Sequence, residues 1–301
     1  SLYGEVNNEK IINNEKKHEK INLKQYETIL NEEGLEKWIS ILKEKNLISV
    51  DTETTSLNPL EANLVGISFC YSPGKACYIP FKNADEDCLN LDKVLKKIKP
   101  ILEDESIKKV GQNIKFDYLI LKKNNIKMKS MEDTMLVSYT LDAGLNRHNL
   151  DLLSEIHLSH KTITFKDLVG TGKKQINFSQ VELKKATEYA GEDADVTFRL
   201  YDLLKRRLDS EKLTKIYEIF EKPMIGILSS LESNGIKVDE KYLKQLSIKF
   251  SKKIQKIEKE IYSIANKEFN IGSPKQLGEI IYNNLKIANL KKTKKGGLAT
   301  S

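Results

Sequence analysis

Two carboxylates separated by one residue close the apolar run Ile48-Ser49-Val50-Asp51-Thr52-Glu53-Thr54. On a strand, residues i and i+2 share a face, so Asp51 and Glu53 stand side by side while Ile48 and Val50 point into the core. Acidic residues are depleted in strands, and neighbouring carboxylates repel unless positive charge sits between them. A divalent cation would supply it. Taken alone, the pair fits a solvent-exposed edge strand better, so the case depends on further ligands. Asp117 offers one, on the first turns of a helix that follows a short apolar strand. The stretch Tyr189-Ala190-Gly191-Glu192-Asp193-Ala194-Asp195 offers another, with Tyr189 and Asp193 at i and i+4 on one helical face. Glu192 and Asp195 fit a solvated acidic face; the Tyr-Asp pair fits it less well.

Gathered together, four carboxylates with no Arg to balance them are electrostatically expensive, and divalent ions remove that cost. Hard oxygen ligands select Mg2+ or Mn2+ over metals that prefer softer donors. Two such ions about 4 Å apart suit in-line displacement at a phosphodiester. The candidate metal ligands are therefore Asp51, Glu53, Asp117 and Asp193, with Tyr189 beside Asp193. Cys70, Cys77 and Cys88 are odd in number and lack C-x-x-C spacing, which argues against both a disulfide framework and structural zinc. His157 and His160 have no second pair to complete a zinc site.

The elements that must position these residues can be read from periodicity. Leu35, Trp38, Ile39 and Leu42 recur at helical spacing ahead of the first strand. Leu64 to Tyr71 and Ala76 to Phe81 flank Ser72-Pro73-Gly74-Lys75, a hairpin signal, so the first three strands form an antiparallel meander. Leu91, Val94, Leu95, Ile98, Ile101 and Leu102 share a helical face that Pro100 should bend or end. Ile107 to Gly111 reads as a short buried strand, and Gln112-Asn113 separates it from a helix carrying Phe116, Asp117, Leu119, Ile120 and Leu121. That succession starts a parallel crossover, giving a mixed sheet and an α/β fold. Short helices over Met135–Leu141 and Leu150–Ile156, a polar loop over Thr162–Asn177 and a long helix over Val181–Leu208 follow. Beyond Pro223 come helices over Met224–Leu231, from Asp239 to about Asn266, and after Ser273-Pro274.

The net charge of +7 is unevenly placed. Residues 211–301 carry 18 Lys against 10 acidic residues, which leaves the first 210 slightly negative. Such asymmetry points to a polyanion partner for the C-terminal third, although a Lys-rich helix also serves as a solvated face. Residues 1–21, rich in Asn, Glu and Lys, read as a disordered leader or linker. No run of 18 apolar residues and no signal pattern is present, so neither membrane insertion nor secretion is indicated.

With these segments in view, the chain resembles the DEDD exonuclease superfamily in its tyrosine-bearing branch. Val50-Asp51-Thr52-Glu53-Thr54, Val110-Gly111-Gln112-Asn113-Ile114-Lys115-Phe116-Asp117, His160-Lys161-Thr162-Ile163-Thr164-Phe165 and Glu192-Asp193-Ala194-Asp195 are similar to the proofreading domain of bacterial family A DNA polymerases, the DNA polymerase I type. Glu232-Ser233-Asn234-Gly235-Ile236-Lys237-Val238-Asp239 and Leu290-Lys291-Lys292-Thr293 resemble the start of the polymerase region in the same family.

The resemblance, from about Ile21 onward, implies a ribonuclease H-like mixed sheet flanked by helices over 22–210 and a helical partial thumb over 211–301. It also implies two divalent cations, with Asp51, Glu53 and Asp193 on one, Asp51 and Asp117 on the other, and Tyr189 on the attacking water. Leu57, Gln112, Asn113, Arg147 and Phe178 match positions that contact the single-stranded 3′ end. On residue type alone, Phe178 is equally a core ring and Arg147 equally a surface cation. The implied activity is a Mg2+-dependent 3′→5′ exodeoxyribonuclease releasing nucleoside 5′-monophosphates. Its partners would be single-stranded 3′ ends and primer-template duplex, in replication and repair, and it would be a cytoplasmic, nucleoid-associated monomer. Palm, fingers and 5′-nuclease motifs are not found in the chain, so a fragment without polymerase activity is expected. An RNA-processing exonuclease of the same superfamily and a non-catalytic DNA-binding module are the alternatives.

Overall fold

The computed structural model describes residues 20–84, 87–172 and 175–286; most of the expected leader and the Leu290-Lys291-Lys292-Thr293 segment lie outside the described residues. The chain divides into two compact units, Ser1–Gly235 and Ile236–Ser301. Residues 211–235, grouped by sequence with the C-terminal helices, lie in the first unit.

In the first unit, strand β1 (Glu27–Thr28) and helix α1 (Glu32–Lys43) lead into β2 (Leu47–Thr54), β3 (Leu64–Ser72) and β4 (Lys75–Pro80). Then come α2 (Leu91–Leu102), β5 (Lys108–Gly111), α3 (Ile114–Lys123) and β6 (Met131–Asp133). Helices α4 (Thr134–Asp142), α5 (Leu150–Leu158), α6 (Phe165–Val169) and the long α7 (Leu183–Ser210) follow. A short α8 (Thr214–Ile216) passes through a π-helical turn, Tyr217–Glu221, into α9 (Lys222–Asn234). The second unit holds α10 (Glu240–Ala265), capped by Asp239, and α11 (Pro274–Glu279), with Ser273 as cap and Pro274 at its first position.

The sheet runs β1-β4-β3-β2-β5-β6. β2, β3 and β4 form the antiparallel meander, and β5-α3-β6 is a parallel crossover beside it. The carboxylate-bearing β2 is thus a central strand, not an edge. Its alternation is two-sided. Ile48 and Val50 join Ile67, Phe69 and Ile79 in the main core with Leu35, Trp38, Val94, Ile98 and Ile120 of α1, α2 and α3. Ser49, Asp51 and Glu53 turn the other way, toward α7, where the Ser49 hydroxyl donates to the Ala194 carbonyl at 2.7 Å. Every residue of β2 is at least partly buried.

Three features depart from the periodicity. β1 and β6 are too short to show a period and exist because a longer neighbour pairs with them. The polar loop over 162–177 contains α6, whose cap Thr164 accepts from the Asp167 amide. Pro100 sits inside the last turn of α2, which ends two residues later at Leu102.

Two glycines set how closely the layers approach the polar face of β2. A Cβ on Gly191 would lie 2.7 Å from the Tyr26 ring, so only glycine lets α7 pack there. Gly66, paired with Glu53 across the β2–β3 ladder, would drive a Cβ into the Tyr78 ring and hydroxyl. Overfilling a packed site costs about 1–3 kcal/mol. Gly66→Ala should therefore lower the melting temperature by several degrees, on the order of 2–4 °C per kcal/mol for a unit of this size. An unchanged transition in thermal unfolding would mean that Tyr78 swings aside freely.

Candidate active site

The site is built where β2 ends, α3 begins and α7 crosses the sheet. Carboxylate oxygens of Asp51, Glu53 and Asp193 lie within 4.8 Å of one another. Two of these come from alternate positions on one strand and the third from a helix 140 residues later, brought close by the small residues Ala190, Gly191 and Ala194 along the packing face of α7. Asp117, one turn into α3 and 2% exposed, is held separately. Its Oδ1 accepts from the Thr52 amide at 2.9 Å and from the Thr52 hydroxyl at 2.5 Å. Thr52, between the two acidic residues, points to the opposite face and so ties β2 to α3. Glu53 Oε1 is buried with no hydrogen-bond partner.

Tyr189 stands beside Asp193, its ring wedged among aromatics. Phe178 lies 5.9 Å from it and Phe165 6.2 Å, centroid to centroid, and Phe165 stacks parallel on Phe178. Phe178, 2% exposed, also meets the edge of Tyr78. Of its two sequence readings, a stacking platform and a core ring, the structure presents the core ring. Leu57 is 91% exposed on the loop between β2 and β3, and Arg147 and Asn113 are exposed as well. Gln112 spends its amide internally: Nε2 donates to the His148 carbonyl at 2.7 Å and Oε1 accepts from the Thr134 hydroxyl at 2.6 Å.

The reading of Glu192 and Asp195 as a solvated face is corrected, since both are completely buried. Glu192 accepts from His160 Nε2 at 2.6 Å and from the Ile163 amide at 2.7 Å, clamping the segment before α6 to α7. Asp195 accepts from the Tyr26 hydroxyl, the Gly74 amide and Arg199 Nε, all at 2.8–2.9 Å. Four acidic or phenolic residues within seven positions need two faces of a helix to accommodate them. That count, together with the odd His160, was the signal available in the sequence.

A family model described as 3′-5′ exonuclease matches residues 26–209, and one described as DNA polymerase family A matches residues 240–301. The chain is 42% identical over 296 residues to a DNA polymerase I of Rhizobium leguminosarum, covering 92% of this chain and 29% of that protein. It is 39% identical over 283 residues to a DNA polymerase I of Pseudomonas aeruginosa, covering 92% and 31%. The chain thus spans about three tenths of the length of these curated relatives. Among solved structures, the POL domain of Pol1 from M. smegmatis, in complex with DNA primer-template and dNTP, superposes with a TM-score of 0.69 at 22% identity, covering 91% of this chain and 43% of that one. Brucella melitensis NrnC with bound Mg2+ superposes at 0.52 and 22% identity, covering 71% and 95%. These two likenesses bear on the fold, a ribonuclease H-like mixed sheet.

Electrostatics tests whether the donor set fits a cation. Burial pushes the Asp51 carboxyl up to about 6, opposed by the Thr52 amide. Burial and then the charges of its neighbours push Glu53, Asp117 and Asp193 well above the ordinary carboxylate range. Burial and the same carboxylates raise the Tyr189 phenol, which keeps its proton. Burial is the largest cause in each, the cluster's own charges add to it at Glu53, Asp117 and Asp193, and Glu53 Oε1 is left unsatisfied. An all-oxygen set in this condition fits a hard divalent metal. Because these carboxyls hold protons in the folded chain that the unfolded chain gives up from about pH 4, stability without metal falls as pH rises through 6 and beyond. In EDTA the melting temperature should drop between pH 5 and pH 8, Mg2+ should restore it far more at pH 8 than at pH 5, and Asp51→Asn should flatten the profile. A profile that is flat in the unsubstituted protein would show that the four groups do not share a dry site.

Proposed function

The chain belongs to the 3′-5′ exonuclease family, and from that premise we propose that it is a proofreading-type 3′→5′ exodeoxyribonuclease. It would act with Mg2+ within a protein of the DNA polymerase I kind. The observation that carries the reading is the gathering of the Asp51, Glu53 and Asp193 carboxylates within 4.8 Å of one another, with Glu53 Oε1 buried and without a hydrogen-bond partner.

Asp51, Glu53 and Asp193 would hold one divalent cation and Asp51 with Asp117 a second. When bound, such ions supply a water nucleophile at neutral pH and neutralise charge at the leaving oxygen. The chain's own contribution is positional. Tyr189, kept protonated and braced by Phe165 and Phe178, offers a hydroxyl that orients the attacking water beside Asp193. Thr52 holds Asp117 so that α3 keeps its distance from β2. Exposed Leu57, Asn113 and Arg147 would line the approach to this centre; the apolar side chain suits a base and the guanidinium a phosphate.

DNA as substrate is supported by the curated relatives, both of them DNA polymerases. A DNA substrate would set the protein in the cytoplasm at the nucleoid, and we take it to act there as a monomer. Among the described residues no helix is long and apolar enough to cross a membrane. Helix α10 exposes Lys252, Lys253, Lys256 and Lys259, a charge row suited to duplex phosphates.

Degradation of 3′-labelled single-stranded DNA, mismatched primer-template and RNA, with Mg2+ or with EDTA, tests the proposal. DNA should be degraded from the 3′ end, mismatched ends faster than matched ones, and EDTA should abolish the reaction. Preference for RNA would favour the RNA-processing reading. Asp51→Ala should lose nearly all activity. Tyr189→Phe should lower kcat by roughly 30- to 1,000-fold, about 2–4 kcal/mol for one preorganised contact, with DNA affinity nearly unchanged. Replacing the four α10 lysines by Gln should flatten the salt dependence of duplex binding by up to about one logarithmic unit for each phosphate no longer neutralised; an unchanged slope makes α10 a solvated face.

A further inference from the structure

Asp133 ends β6 at the edge of the sheet, 1% exposed, opposite Gly111 in the β5–β6 ladder. Its carboxylate is shared between two helix starts. Oδ1 accepts from the Met135 amide at 2.8 Å and the Leu136 amide at 3.3 Å, capping α4. The same Oδ1 accepts from the Asn113 amide at 3.1 Å, and Oδ2 accepts from the Ile114 amide at 3.0 Å. Helix α3 therefore takes its cap from another strand. Its own N-cap residue, Asn113, has φ 60 and ψ 46 and makes no capping bond with its side chain. The left-handed region is unfavourable for residues with a Cβ, and Asn is among the few that enter it readily. Asp133 holds the backbone there and leaves the Asn113 side chain exposed. The next residue, Thr134, donates its hydroxyl to Gln112 Oε1 at 2.6 Å while Gln112 Nε2 reaches the loop that carries Arg147.

We infer that Asp133, assisted by Thr134, is a positioning residue for substrate: it fixes the Gln112-Asn113 turn in the one conformation that presents Asn113 to the DNA 3′ end. The inference rests on the exonuclease reading. It assigns Asp133 to substrate binding and not to the chemical step, because Asp117, four residues past Asn113, is held independently by Thr52. Losing the cap frees the turn and leaves the carboxylate cluster in place.

The test compares the unsubstituted protein, Asp133→Asn, the Gln112→Ala/Asn113→Ala double variant and the triple combination. Steady-state hydrolysis of single-stranded DNA, Mg2+ activation midpoints, thermal melting and fluorescence-anisotropy binding of single-stranded DNA in EDTA are measured for each. Asp133→Asn should raise KM and the anisotropy Kd roughly tenfold, the scale of one lost hydrogen-bonded constraint, with kcat and the Mg2+ midpoint within about twofold. In the triple variant it should add almost nothing, since residues that act through one another are not additive. Thr134→Val, which removes the hydroxyl's bonds to Gln112 Oε1 and to the Gly111 carbonyl but leaves the Asp133 carboxylate in place, should move KM and Kd in the same direction and keeps the test open if Asp133→Asn does not fold. The inference is overturned if KM and Kd stay unchanged, if kcat and the Mg2+ midpoint move instead, or if the effects multiply in full. Absence of hydrolysis in the unsubstituted protein would sink the exonuclease reading itself, and the anisotropy comparison would still decide the role of Asp133.

Discussion

Gathering four carboxylates, Glu53 and Asp117 buried and Asp51 and Asp193 half-buried, is the constraint on which the rest of this structure depends. Isolated buried carboxylates protonate, because the charged form loses its hydration. Here neighbouring carboxylates reinforce that tendency at Glu53, Asp117 and Asp193. Among the described residues no arginine or lysine offsets it at the cluster. Instead the fold gathers carboxylate oxygens of Asp51, Glu53 and Asp193 within 4.8 Å of one another and leaves Glu53 Oε1 without a hydrogen-bond partner. Such an arrangement destabilises the metal-free chain locally, so the surrounding packing must hold it. Thr52 does so from the strand, and the aromatic group around Tyr189 does so from the helix side.

Helix α7 shows how the surplus stability is arranged. One turn carries Tyr189 and Asp193 toward the cluster. Adjacent positions carry Glu192 and Asp195 into two other buried networks, to the segment at His160–Ile163 and to Tyr26, Gly74 and Arg199. Buried carboxylates contribute little net stability against a hydrophobic alternative, but parting one from its partners leaves uncompensated charge. The bonds that reach other segments therefore act on register. Arg199 travels with Asp195 on the same helix, whereas a helix that rotated or slid against β2 and β3 would part Glu192 from His160 and Ile163 and Asp195 from Tyr26 and Gly74, so the helix keeps the setting in which Asp193 meets Asp51. Gly191 makes the same point sterically through Tyr26.

The two compact units differ in what covers their apolar residues. In the first, the sheet has helices on both faces and one large core with smaller satellites. In the second, α10 buries only Ala265 and exposes Leu243, Phe250, Ile254 and Ile257 beside its lysines. The match of residues 240–301 to DNA polymerase family A accords with a segment whose relatives extend well beyond it.

What was legible in the sequence was whatever repeats along the chain. Alternation put Asp51 and Glu53 on one face of β2, helical spacing paired Tyr189 with Asp193, and turn residues marked the meander and the start of α3. Those signals sufficed for the α/β class and for the carboxylates of Asp51, Glu53 and Asp193 that the fold brings together. Periodicity tells which residues share a face and is silent about what lies opposite that face. Hence only the tertiary structure decided that β2 is central, that Glu192 and Asp195 are interior, and that the Phe178 ring packs against Tyr189 inside the core. The same holds for β6, whose three residues form a strand because β5 pairs with them, and for Asp133 at its end. A single Asp before a helix reads as a cap for that helix; that it also caps α3 depends on two chain segments twenty residues apart meeting at one sheet edge.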